Sequence, residues 1–129
     1  MQIENRLFVY GTLAPNQPNA HILAPLSGSW QTATVIGQVH PEGWGATMGY
    51  PAIKLIGSEP VSGFLLESPE LPDFWDELDE FEGADYRRVE TTAYPDNGEP
   101  VQCYLYALNE QRQIGEEISA AGTQVSTYT

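Results

Sequence analysis

"YRRVETTAYPDNGEPVQCYLYAL", residues 86–108, holds two runs of β-branched and aromatic residues around the polar turn "PDNGEP". Asn97-Gly98 inside that turn tolerates the left-handed backbone of a tight reversal, so the segment reads as a β-hairpin. The chain therefore makes an antiparallel strand pair, and the remaining elements must build on it.

Upstream lies "SPELPDFWDELDEFEG", residues 68–83. Ser68 or Pro69 lies near the start of a helix, Pro72 suits its first turn, and acids crowd the early turns. Gly83 stands where a left-handed cap belongs. Before it, "EPVSGFLLES" (59–68) reads as a strand, and the Gly-rich "PEGWGATMGY" (41–50) feeds a second short strand at Ala52–Ile56. "WQTATVIGQVH" (30–40) alternates and is β-branched, hence a strand with Gly37 as a bulge or close approach. "RLFVY" (6–10) is a buried strand stopped by Gly11. The prolines of "APNQPNAHILAPL" limit any helix there to a short one over Ala20–Leu23, capped by Asn19. The string is β, short α, several β, one α and a hairpin. It implies an α+β fold whose mostly antiparallel sheet curls into a barrel.

The 129 residues fit one domain with a core of its own, assigned to 1–109. The polar tail 110–129 holds at most a weak helix near Ile114–Ala121. A formal charge of −13 opposes binding to nucleic acid or to anionic membrane surfaces, so any anionic ligand needs local donors. The single cysteine, Cys103, cannot form an internal disulfide, has no metal-ligand spacing around it, and reads as an inert buried thiol. "MQIENRLFVY" is not a secretory leader, and no run of about 18 apolar residues spans a membrane. A cytoplasmic protein is the expectation.

"WDELDEFEGADYRR" (75–88) carries Asp76, Glu77, Asp79, Glu80, Glu82 and Asp85. With Phe74 at zero on a helical projection, Phe81 falls near ~−20°, Leu78 near ~40°, Leu71 near ~60° and Trp75 near ~100°. Asp73, Asp76, Glu77 and Glu80 fall opposite, with Asp79 just past their edge. Glu82 falls near ~80°, inside the apolar arc. A carboxyl buried there acquires a raised pKa and becomes a candidate general acid or base. Two plainer readings stand beside this one. Glu82 ends a helix and can swing into solvent, or it can be a structural partner of Arg87 or Arg88.

"FVYGTL" (8–13) turns sharply after a buried strand and exposes consecutive backbone N–H groups, a nest suited to a carboxylate or an oxyanion. An ordinary strand-to-loop turn has the same sequence. It is neither a dinucleotide fingerprint nor a Walker loop.

"LFVYGTLAPNQPNAHIL", "GYPAI" (49–53), "VSGFLLE" (61–67), "LDEFEGADYRR" (78–88) and "VQCYLYAL" together resemble the γ-glutamylcyclotransferase-like family, which includes γ-glutamylamine cyclotransferases and AIG2-like proteins. The resemblance covers roughly residues 6–108. It rests on "YGTL" combined with "LD-x-x-EG…Y-x-R". It implies a small mixed β-barrel with flanking helices. It assigns substrate binding to Tyr10, Gly11, Thr12 and Leu13, and acid–base catalysis to Glu82, the carboxylate that the projection also isolates. The implied reaction is attack of a γ-glutamyl substrate's α-amine on its own γ-carbonyl, which releases 5-oxoproline without metal or organic cofactor.

Tyr86 and Arg88 match "Y-x-R", and Arg88 pairs with a surface acid or faces the cavity. Tyr50 precedes Pro51, a bond for which cis is an option. Tyr104 and Tyr106 pack in the core or line the barrel mouth, while His21 and His40 read as surface or loop residues. The alternative to an enzyme is a non-enzymatic small-molecule binder on the same fold. The acyl-acceptor side of the substrate and the oligomeric state are not legible, and selectivity is expected from loop 41–50.

Overall fold

The computed structural model describes residues 2–11, 13–40, 52–84 and 86–108. Five strands, β1 (Arg6–Val9), β2 (Ser29–His40), β3 (Ala52–Glu67), β4 (Tyr86–Pro95) and β5 (Val101–Leu108), close into a barrel in the order β1-β3-β2-β4-β5. All neighbours are antiparallel except β1 and β5, which run parallel with Leu7 opposite Tyr104. This is the mixed, mostly antiparallel barrel expected. Helix α1 spans Trp75–Glu82 and is the one α-helix among the described residues; 3-10 turns occupy Ile3–Asn5, Ala20–Ile22 and Leu71–Asp73.

Side-chain alternation divides the apolar residues into two cores. Phe8, Ala33, Val35, Ile53, Val61, Leu65, Ala93, Cys103, Leu105 and Ala107 fill the barrel. Their neighbours Leu7, Val9, Leu66 and Tyr106 point outward and are covered by Leu13, Leu23, Leu71, Trp75 and Leu78. Strands buried on both faces account for near-continuous runs such as "RLFV" and "YLYAL". The covered side is also where α1 docks. Trp75 Nε1 donates to the Glu4 carbonyl at 2.9 Å, which ties the start of α1 to the segment leading into β1.

Several expectations need correction. The strands at Ala52–Ile56 and 59–68 are one strand, β3. Gly37 pairs with Glu59 but Gln38 pairs with Lys54, so residues 55–58 bulge out opposite a single β2 peptide. That bulge, expected at Gly37, mimics a loop in the one-dimensional pattern. The helical segment is split: Phe74, at φ −112° and ψ −8°, separates the 3-10 turn Leu71–Asp73 from α1. Pro72 sits in that turn, where its missing N–H costs nothing. Asn19 stands at the head of a single 3-10 turn and makes no side-chain cap bond. Gly83 has φ +78° but ψ −173°, a region open essentially to glycine alone, not the left-handed helical cap. The hairpin loop spans residues 96–100 around Asn97-Gly98.

Phe81 is 44% exposed and does not join the core. The face that docks is the one carrying Leu71, Trp75 and Leu78, centred near ~70° on the projection, and it leaves Phe81 on the rim. The same rotation brings Glu82 closer to the centre of the buried arc. No helix among the described residues is long and apolar enough to cross a membrane. The tail 110–129, loop 41–50 and the Tyr50–Pro51 bond lie outside the described residues.

Candidate functional site

Glu82 is half-buried at the last residue of α1. Removal from water pushes its carboxyl up to about 7. Its charge in turn raises the pKa of the Tyr10 and Tyr106 hydroxyls, whose own burial is the larger cause of their shift. The acid therefore lies within electrostatic reach of two tyrosines, one just after β1 and one on β5. Glu82 is not an exposed frayed end, and among the described residues it forms no ion pair with Arg87 or with Arg88, whose partner is Asp79.

Tyr10 follows β1 and packs against the barrel interior. Its hydroxyl donates to the Tyr106 carbonyl at 2.5 Å and accepts the Ile53 N–H at 3.1 Å. With the donor and an acceptor site used, the buried phenol carries no unmet polar atom. Beyond it the chain turns at Gly11, whose carbonyl accepts the Ala14 N–H at 3.0 Å. No protein acceptor for the Gly11 or Leu13 N–H occurs among the described residues.

A cavity of about 280 Å³ opens beside this turn, lined by Tyr10, Gly11, Ala14, Gln17, Ser62, Gly63 and Phe64. None of these side chains is charged. Of the residues expected to bind substrate, Tyr10 and Gly11 line the cavity, while the Leu13 side chain is buried in the outer core. Thr12 lies outside the described residues. Glu82 is not among the lining residues; Tyr10 connects it to the cavity, touching the space on one side and feeling the carboxylate on the other. Among the described residues, no group of three or more His, Cys, Asp and Glu side chains is placed to hold a metal ion.

Asp79, expected just past the edge of the solvent-facing arc, is partly exposed there, and its partners are what the sequence did not give. Its Oδ1 accepts Arg88 Nε–H at 3.0 Å and the Tyr106 hydroxyl at 2.6 Å, and its Oδ2 accepts an Arg88 terminal N–H at 3.1 Å. The guanidinium lies 4.6 Å from the Trp75 ring centre and 5.0 Å from that of Tyr104. A usable signal existed: Asp79 is four residues after Trp75 on one helix, so a cation stacked on the indole would reach it. Of the two options for Arg88, pairing with an acid is the one observed. The tyrosine pair divides likewise, Tyr106 buried beneath α1 and Tyr104 half-buried against Trp75 with ring centres 5.3 Å apart. Tyr86 is half-buried and acts on Tyr10 electrostatically. His21 is exposed, the His40 side chain lies outside the described residues, and the buried Cys103 thiol is pushed up to about 12, which keeps it protonated and inert.

Residues 7–123 match the family model "Gamma-glutamyl cyclotransferase, AIG2-like". Among solved structures, an AIG2-like protein from Mus musculus is 22% identical, with a TM-score of 0.63, covering 81% of this chain and 77% of the mouse chain. YkqA from Bacillus subtilis is 25% identical with a TM-score of 0.64; the match covers 81% of this chain but 36% of YkqA. A solution structure from Arabidopsis thaliana is 24% identical with a TM-score of 0.62, covering 87% of this chain and 68% of the plant protein. The comparison with curated proteins returns no match.

Proposed function

Because the chain belongs to the gamma-glutamyl cyclotransferase, AIG2-like family, we propose that it is a cyclotransferase that releases 5-oxoproline from a γ-glutamyl amine or γ-glutamyl amino acid. The observation that carries this reading is Glu82, a half-buried carboxyl raised to about 7 and within electrostatic reach of the tyrosine that walls the cavity.

The chemistry asks little else of the protein. The nucleophile is tethered to its electrophile, and effective molarities for such ring closures reach roughly 10⁵ M or more. Protons are the remaining obstacle. The α-amine arrives as an ammonium and is inert until a base takes a proton. Glu82 accepts that proton; the freed amine attacks the γ-carbonyl and a C–N bond forms. As the tetrahedral intermediate collapses, the bond to the leaving nitrogen breaks and Glu82 returns the proton to it; the carboxylate then takes the second proton from the ring nitrogen and passes it to the departing amine, which leaves as an ammonium. A carboxyl titrating near neutrality suits both steps, because either form is accessible at working pH.

The N–H groups of Gly11 and Leu13, which have no protein acceptor among the described residues, are the donors offered to the substrate's α-carboxylate or to the oxyanion. Local amides act over a few ångströms, inside the screening length that weakens the protein's distant negative charges. The neutral cavity wall would enclose the head group.

The direct experiment is to incubate the protein with a panel of γ-glutamyl amines and γ-glutamyl amino acids and assay 5-oxoproline. Product from one or more members supports the assignment. Tight binding without product throughout the panel would replace it with the small-molecule binder.

A further inference from the structure

Asp79 stands one turn before Glu82 on α1, so the two side chains project to the same side of the helix. Its carboxylate collects three donor bonds, two from Arg88 on β4 and one from Tyr106 on β5. The Arg88 guanidinium also rests against the Trp75 and Tyr104 rings. Helix and both strands of the hairpin thus converge on one group. The Asp79 side chain is 42% exposed, and an ion pair that open to water adds little stability. A bidentate fork in contact with two aromatic rings does fix distance and rotation, because its planar donors tolerate few arrangements.

We infer that Asp79 is a positioning residue, which through Arg88 and Tyr106 holds the last turn of α1 against β5 and keeps the Glu82 carboxyl turned toward Tyr10. Tyr106 serves both halves of the site. Its hydroxyl donates to Asp79, and its carbonyl accepts the Tyr10 hydroxyl at the root of the Gly11 turn. One β5 residue therefore sets the acid and the loop in a common frame. Leu71, Trp75 and Leu78 hold the body of the helical segment by apolar burial, so loss of the polar clamp frees the last turn without unfolding α1.

This role builds on the reading of Glu82 as the acid–base, but its test needs no substrate. The titration midpoint of Glu82 is measured by NMR of its side-chain carboxyl carbon, the signal being identified by its absence in Glu82→Gln. Wild type is compared with Tyr106→Phe and Arg88→Lys, two changes that conserve net charge. Among the described residues, the titratable groups that feel Glu82 are Tyr10 and Tyr106, with Asp79 and Arg88 bonded beyond Tyr106 and Tyr86 acting on Tyr10, and both variants keep the charge of each. In Tyr106→Phe the midpoint should fall by about one unit or more toward the ordinary carboxylate range, as the freed turn admits water. Arg88→Lys, which loses the fork but keeps the charge, should shift it in the same direction. Far-UV circular dichroism should be unchanged in both. A Glu82 midpoint unmoved in both variants overturns the positioning role. Absence of 5-oxoproline release would sink the proposed reaction while this comparison still decided the role of Asp79.

Discussion

Tyr10 and Tyr106 are joined side chain to backbone, the Tyr10 hydroxyl donating to the Tyr106 carbonyl at 2.5 Å. The bond crosses the parallel edge of the barrel, where β1 meets β5 around a single registered pair. It supplements a short backbone ladder at the point where the chain leaves for the Gly11 turn. The same oxygen accepts the Ile53 N–H, so three segments meet at one phenol.

Tyr10→Phe should therefore cost more than a hydroxyl at a surface. It leaves the Ile53 N–H and the Tyr106 carbonyl without their partner in a part-buried setting, and an unmet buried group costs about 1–3 kcal/mol. Chemical denaturation should show that loss with an unchanged dependence on denaturant concentration. Full stability in the variant would mean that water replaces the hydroxyl at no cost.

Glu82→Gln keeps the volume of the side chain and removes its proton chemistry. Turnover of a γ-glutamyl substrate should fall by a factor on the order of 10² or more while the fold is retained. Glu77→Gln and Glu80→Gln, at exposed positions of the same helix, should change it little. Wild-type rates in Glu82→Gln would take the residue out of the mechanism.

The pH dependence follows from the state in which Glu82 must start. It takes a proton from the substrate ammonium, so the ionised form is the active one. Its carboxyl is raised to about 7 by burial, so kcat/KM should climb with pH and level off above that value. An ascending limb centred near 4 would place an ordinary exposed carboxylate in the role.

Stability should move the opposite way. The folded-state pKa of Glu82 is above its usual value of 4.5, so between about 4.5 and 7 the native state holds a proton that the unfolded state has lost. Stability then falls as pH rises through that window, and the penalty is fully present above about 7. Glu82→Gln removes it. The variant should be the more stable protein at pH 8, by on the order of 1–3 kcal/mol, and little different from wild type at pH 4. Thermal melts at the two pH values check the sign. A variant destabilised equally at both would show that the carboxyl is held by bonds that outweigh its desolvation.

Gly63 lines the cavity and packs against β1. A Cβ there would come within 2.4 Å of the Val9 carbonyl oxygen and 2.5 Å of the Phe8 ring. One of those obstacles is backbone, so Gly63→Ala should destabilise by about 2–4 kcal/mol or displace β1 and the turn beyond it. Denaturation midpoints would measure the first effect, and loss of ligand binding at retained stability the second.

Local chemistry carried much of this in one dimension. Side-chain period, the Asn97-Gly98 turn and Gly83 announced the hairpin and the end of the helix, because those features depend on neighbours in the chain. The helical period also singled out Glu82 among six acids, since one residue's angular position needs only the residues of its own helix. Tertiary structure decided which part of the apolar arc docks. Burial centred on Leu71, Trp75 and Leu78 left Phe81 in water and drew Asp79 to Arg88 and Tyr106. Those partners lie 9 and 27 residues away, beyond any local pattern. It also decided that residues 55–58 are a bulge and not a break, because a strand's continuity is set by the strand beside it.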